Sequence, residues 1–77
     1  MTFKEAVKDY MEWVETVGRA RKRSYRYEHG TMNLISKIEK HFDVRRDSVH
    51  QIRFRYQGYE LVVELKNSVE FFLCLNY

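Results

Sequence analysis

The 77-residue sequence contains no proline, only three glycines and a single cysteine. The lone Cys74 excludes an intramolecular disulfide and the cysteine-rich type of zinc site, and it favours a reducing cytoplasm as the setting. Gly18, Gly30 and Gly58 are too far apart to form a glycine-rich phosphate loop. With no proline, repeat or low-complexity segment to mark a linker, the chain is predicted to be one small α+β domain over residues 1–77.

Long hydrophobic runs are also missing. No apolar stretch approaches the roughly 18 residues that a membrane span requires, and the first ten residues are charged and amphipathic rather than typical of a signal peptide. Hydrophobic residues nevertheless make up 44% of the chain and aromatic residues 16%, which is sufficient for a packed core. We therefore expect a folded, soluble, unprocessed cytoplasmic protein that has no membrane partner.

The positive charge is concentrated in the middle of the sequence. The formal net charge is +3, but residues 1–17 carry −2, residues 18–55 carry +7 and residues 56–77 carry −2. A basic block of this kind indicates an anionic partner, although a solvated protein surface can have the same composition. The choice between these two interpretations depends on where the fold places the charges.

The N-terminal segment predicts an amphipathic helix over residues 3–17. Thr2 and Glu5 have the spacing of a capping box, and Gly18 stands where a left-handed helix cap is expected. At 100° per residue the apolar side chains fall on one arc of about 120°, and the charged ones fall opposite.

The next segment predicts a second helix that begins near Ser24, its expected N-cap, and runs to Phe42. One arc holds Tyr27, Thr31, Leu34, Ile35, Ile38 and Phe42. Gly30 lies off this arc, and glycine costs about 1 kcal/mol relative to alanine inside a helix, so a break at this position stays open. If the helix is continuous, a basic stripe runs along its opposite side, formed by Lys22, Arg26, His29, Asn33, Lys37 and Lys40.

From Val49 onward the hydrophobic period changes to two, which predicts three strands. A two-residue turn at Gln57-Gly58 pairs Tyr56 with Tyr59, and the same register pairs Ile52 with Val63. In the last strand Phe71, Leu73, Leu75 and Tyr77 face the core if Leu65 pairs with Phe71. The predicted fold is α+β, with two N-terminal helices packed on one face of a three-stranded antiparallel meander in the order α-α-β-β-β.

No catalytic or metal-binding pattern accompanies this fold. His29, His41 and His50 lack the spacing of a helical metal site, and Cys74 has no nucleophile signature around it. We therefore expect no enzyme activity, no cofactor and no small-molecule substrate.

Two surfaces remain as candidates for binding. The first is a basic set suited to nucleic acid or another polyanion, because phosphate contacts need Lys and Arg spread along a surface. Its members are Arg19, Arg21, Lys22, Arg23, Arg26, Lys37, Lys40, Arg45 and Arg46. The second is an apolar patch on the outer face of the sheet, formed by Val62, Phe72 and Cys74 beside a final strand that is expected to be an edge.

These surfaces lead to two hypotheses. In the first, the chain is a non-enzymatic module, expected to be a homodimer, whose basic helix face contacts nucleic acid or another polyanionic surface without strong sequence specificity. In the second, it is an inhibitor or adaptor of the kind encoded by mobile elements, and it docks on a larger protein through the outer sheet face or the basic face.

Overall fold

The computed structural model describes residues 1–18 and 21–76. In chain order the elements are α1 (Phe3–Val17), β1 (Arg23–Arg26), α2 (Thr31–Phe42), β2 (Gln51–Tyr56), β3 (Tyr59–Leu65) and β4 (Glu70–Leu75). The strands form one antiparallel sheet in the order β1-β4-β3-β2. The α+β class is confirmed, but the three-stranded α-α-β-β-β arrangement is wrong, because a fourth strand lies between the two helices.

Helix α1 occupies the range predicted from its local signals. The Thr2 hydroxyl accepts a hydrogen bond from the Glu5 backbone N–H at 3.1 Å, and the Glu5 carboxylate accepts one from the Thr2 N–H at 3.0 Å. Gly18 ends the helix in the left-handed conformation, with φ of 73°. Both ends of α1 are therefore capped by the residues that the sequence indicated.

Strand β1 replaces the predicted first half of the second helix. Ser24 is a strand residue rather than an N-cap, and α2 begins only at Thr31, after Gly30 with φ of 95° and ψ of 129°. Tyr25 and Tyr27 are buried, whereas Ser24 and Arg26 are exposed, so this segment follows a period of two. The prediction of a helix from Ser24 is wrong because Tyr27 fits both this alternation and the helical arc.

Strand β1 also changes the surroundings of β4. It pairs with β4 from Arg23↔Leu73 to Arg26↔Glu70, and β4 pairs on its other side with β3. The prediction that the final strand is an edge is therefore wrong. Pairing on both sides satisfies the backbone groups that an edge strand would leave exposed.

The hairpin of β2 and β3 has the predicted register, including Tyr56↔Tyr59 and Ile52↔Val63. Gln57 and Gly58 both have positive φ, 51° and 85°, as a type I′ turn requires. Leu65 pairs with Phe71 as expected.

One core joins the sheet to both helices. Its buried side chains come from α1, α2 and all four strands. In β4 the predicted alternation is confirmed for Phe71, Leu73 and Leu75, which are 0%, 0% and 6% exposed. Tyr77, the fourth predicted member of this face, lies outside the described residues.

Candidate nucleic-acid interface

Helix α2 presents a polar face to solvent because its other face is buried in the core. Thr31, Leu34, Ile35 and Ile38 are buried, so the residues between them point outward. The exposed side chains include Asn33, Ser36, Lys37 and Lys40. The predicted basic face of this helix is therefore real over the part that contains Lys37 and Lys40.

Lys37 and Lys40 also border a groove between α2 and the start of α1, with a volume of about 810 Å³. We call it the α1–α2 groove. Its lining residues are Thr2, Phe3, Lys4, Tyr27, Leu34, Lys37, Ile38, Lys40, His41, Phe42 and Tyr56. It therefore combines side chains from both helices with Thr2, Tyr27 and the last residue of β2.

The charge of the groove has one sign. Lys4, Lys37 and Lys40 line it, and among the described residues that line it none is Asp or Glu. Lys37 Nζ donates to the Tyr27 hydroxyl at 3.4 Å, and within residues 1–18 and 21–76 it forms no ion pair. Lys40 and His41 lie in the last turn of α2, where positive charge also offsets the partial negative charge of the helix end.

Three half-buried aromatic rings lie among these cations. The ring centroids of Phe42 and Tyr56 are 5.8 Å apart, and those of Phe3 and Tyr56 are 6.0 Å apart, both in edge-to-face orientations. Each ring is only partly buried, whereas the Phe54 ring beneath them is 4% exposed. The groove therefore offers apolar aromatic surface next to ammonium groups.

The predicted basic set does not form one stripe. Lys22 immediately precedes β1, and Arg26 is the last residue of that strand. Both lie on the outer side of the sheet, away from α2. Lys22 Nζ is 3.3 Å from the Glu64 carboxylate, and Arg26 stands opposite Glu70. The continuous stripe is therefore wrong, because it assumed a helical path through residues that form a strand.

Arg23 contacts side chains of α1. Its side chain lies 3.7 Å from the Asp9 carboxylate and 5.2 Å from the Trp13 ring. The Tyr25 hydroxyl donates to the same Asp9 carboxylate at 2.7 Å, and burial together with this hydrogen bond raises the pKa of Tyr25. Arg23 therefore helps to hold β1 against α1.

The two arginines beyond α2 differ from each other. Arg46 Nη2 is 2.6 Å from the Glu39 carboxylate, which also accepts from Arg46 Nε at 3.1 Å and from its backbone N–H at 2.9 Å. These hydrogen bonds lower the pKa of Glu39.

Arg45 and Arg21 are exposed, and within residues 1–18 and 21–76 neither forms an ion pair. Arg19 lies outside the described residues.

The outer sheet face does bring Val62, Phe72 and Cys74 together, since Val62 pairs directly with Cys74 and Phe72 is the next outward residue along β4. All three are half-buried. Lys22 and Lys66 lie 4.6 and 5.6 Å from the centre of the Phe72 ring. The patch is therefore covered in part by the chain's own lysines.

The groove contains residues that were not identified from the sequence as site residues. Phe3 is the first residue of α1, Phe42 the last residue of α2 and Tyr56 the last residue of β2. Their apolar periodicity assigns them to the core, but a position at the end of an element places a side chain at the core boundary. This terminal position is the signal that could have identified them.

Within the part of the chain that the structure describes, no three His, Cys, Asp or Glu side chains are grouped so that they could hold a metal ion. No helix among those residues is long and apolar enough to cross a bilayer. No protein-family model, curated protein or solved structure matches this chain.

Proposed function

We propose that this chain is a small non-enzymatic binding module that contacts nucleic acid through the lysines of the α1–α2 groove. The observation that carries the proposal is that Lys4, Lys37 and Lys40 line one groove, to which the part of the chain that the structure describes contributes no acidic residue. Phosphate groups are the complementary partner, because they carry a dense, regular negative charge. The single cysteine is consistent with action in a reducing cytoplasm.

The groove is a better candidate for this role than the rest of the predicted basic set. Lys22, Arg23 and Arg46 each have a carboxylate within 4 Å, so a phosphate would have to compete with an existing ion pair. Lys37 and Lys40 are three positions apart on α2, and such side chains are neighbours on a helix surface. They can therefore contact adjacent phosphates of one strand.

The test is to titrate labelled single-stranded and duplex DNA and RNA with the protein at several salt concentrations. Fluorescence anisotropy measures the binding. The double variant K37Q/K40Q should weaken binding and reduce the salt slope, log Kd against log salt, by about 1.4, the value for two single-strand phosphate contacts. The matched control K22Q/K66Q removes the same charge on the outer face and should leave affinity and slope nearly unchanged. Binding that is absent at low salt, or equally reduced in both variants, would refute the proposal.

A second candidate function is contact with another protein, or with a second copy of this chain, through the outer sheet face. Its support is the partly exposed group Val62, Phe72 and Cys74 on two neighbouring strands. Phe72→Ser should then dissociate the dimer or complex in sedimentation experiments while sparing nucleic-acid binding. A monomeric wild-type protein that captures no partner would exclude this function.

A further inference from the structure

The α1–α2 groove has two chemically different parts. Its lining includes the lysines Lys4, Lys37 and Lys40, and it also includes the partly buried aromatic residues Phe3, Phe42 and Tyr56. A polyanion held by charge alone would contact only the lysines. The aromatic surface therefore indicates a ligand that has a flat apolar portion as well as negative charge.

The size of the groove agrees with such a ligand. About 810 Å³ lies within the range of roughly 300–1,000 Å³ that is typical of pockets for organic ligands. Proteins that bind single-stranded nucleic acid combine a positively charged groove with aromatic side chains on which bases stack. Those two components occur together here.

We propose that the groove takes an unpaired base of single-stranded nucleic acid against Phe3, Phe42 and Tyr56, while Lys37 and Lys40 contact the flanking phosphates. This inference rests on the proposed nucleic-acid function and makes it more specific. In a duplex the bases are stacked and paired, so their faces are not available to stack on the rings of the groove. A duplex would contact the lysines alone, and the groove therefore selects single strands.

The outer face of the sheet offers the competing aromatic surface. Phe72 lies on β4, one of the two central strands, but Lys22 and Lys66 already lie near its ring, and the neighbouring Glu64 would repel a phosphate. Within residues 1–18 and 21–76, the lining of the groove contains no such carboxylate side chain. This difference in charge favours the groove as the place where a base stacks.

The experiment compares the affinities of the wild-type protein for three polyanions. These are a short oligothymidylate, an abasic oligonucleotide of the same length, and polyglutamate. The abasic strand has the same phosphates without the bases. Stacking of one base should make oligothymidylate bind about 5- to 150-fold more tightly than the abasic strand. Tyr56→Leu should remove most of this preference, whereas Phe72→Leu on the other face should retain it.

Ring proton NMR spectra provide a measurement that does not depend on a variant folding. The resonances of Phe3, Phe42 and Tyr56 should shift on addition of oligothymidylate and should shift little on addition of the abasic strand. If Tyr56→Leu unfolds the protein, these spectra decide the question alone.

The outcomes separate this inference from the proposed function. Equal, salt-dependent binding of the base-containing and abasic strands would overturn the stacking inference and leave nucleic-acid binding intact. Polyglutamate binding as tight as that of oligothymidylate, or loss of the base preference in Phe72→Leu, would also overturn it. Failure of every probe to bind at low salt would refute the proposed function itself.

Discussion

The hydroxyl of Tyr10 accepts a hydrogen bond from the backbone N–H of Leu75 at 3.0 Å and donates one to the Arg21 carbonyl at 2.7 Å. Extending the β1–β4 register by two residues from Arg23↔Leu73 would pair Arg21 with Leu75. The tyrosine hydroxyl therefore lies between two backbone groups that would otherwise bond directly. It joins α1 to the sheet where β1 separates from β4.

Removing this hydroxyl should destabilise the protein. Tyr10 is 0% exposed, so Tyr10→Phe keeps the packing but leaves the Leu75 N–H without its acceptor, at a cost of about 1–3 kcal/mol. Urea denaturation measures the change, and amide exchange at Leu75 should accelerate. Tyr59→Phe, at a residue that is 50% exposed, is the control and should change stability little. Equal stability of Tyr10→Phe and wild type would contradict the role assigned to this hydroxyl.

The Gly30 position distinguishes the observed fold from a continuous helix through residues 24–42. In a helix interior Gly30→Ala would stabilise by about 1 kcal/mol. In the structure Gly30 has φ of 95°, and a Cβ there would lie 3.4 Å from Asn33 Nδ2, so the same substitution should destabilise by at least about 1 kcal/mol. Thermal denaturation of Gly30→Ala measures the change in melting temperature. A decrease supports the observed fold, and an increase would support the continuous helix.

The hairpin turn allows a pair of substitutions with opposite effects. Gln57 and Gly58 are both left-handed, and no atom lies within 4 Å of a Cβ built on Gly58. Gly58→Ala should therefore cost about 1–2 kcal/mol from backbone conformation alone. Gln57→Asn should stabilise by a few tenths of a kcal/mol, because asparagine tolerates this conformation better. Urea denaturation of both variants would test the turn type, and a stabilising Gly58→Ala would contradict it.

The Glu39 carboxylate should make stability depend on pH in the acid range. Its hydrogen bonds with Arg46 lower its pKa in the folded protein below the ordinary value of 4.5. Such a group contributes stability above its unfolded pKa and loses that contribution as the pH falls through the lowered folded value. Glu39→Gln should therefore be less stable than wild type at pH 7, and the difference should shrink as the pH falls below 4.5.

Thermal denaturation from pH 7 to pH 3 would measure this effect. Glu15→Gln is the control, because the Glu15 side chain forms no hydrogen bond or ion pair within the described residues. A Glu39→Gln deficit that does not vary with pH would show that packing, rather than the charge, is responsible.

The sequence by itself determined α1 and the β2–β3 hairpin. The signals for α1 are the Thr2–Glu5 capping box, Gly18 and one amphipathic period, all within 17 neighbouring positions. The hairpin register follows from the alternation on both sides of Gln57-Gly58. These elements could be predicted because the interactions that define them are between residues close in the chain.

Only the tertiary structure decided that residues 23–26 form a strand and that Phe3, Phe42 and Tyr56 share a groove. The partners of β1 lie in β4, more than 40 positions away, and a four-residue segment has too little local preference to indicate that pairing. The groove forms where the ends of three elements meet, and partial exposure of a ring there depends on how those elements pack. The basic residues were visible in the sequence, but their division between two sides of the protein follows from this long-range pairing.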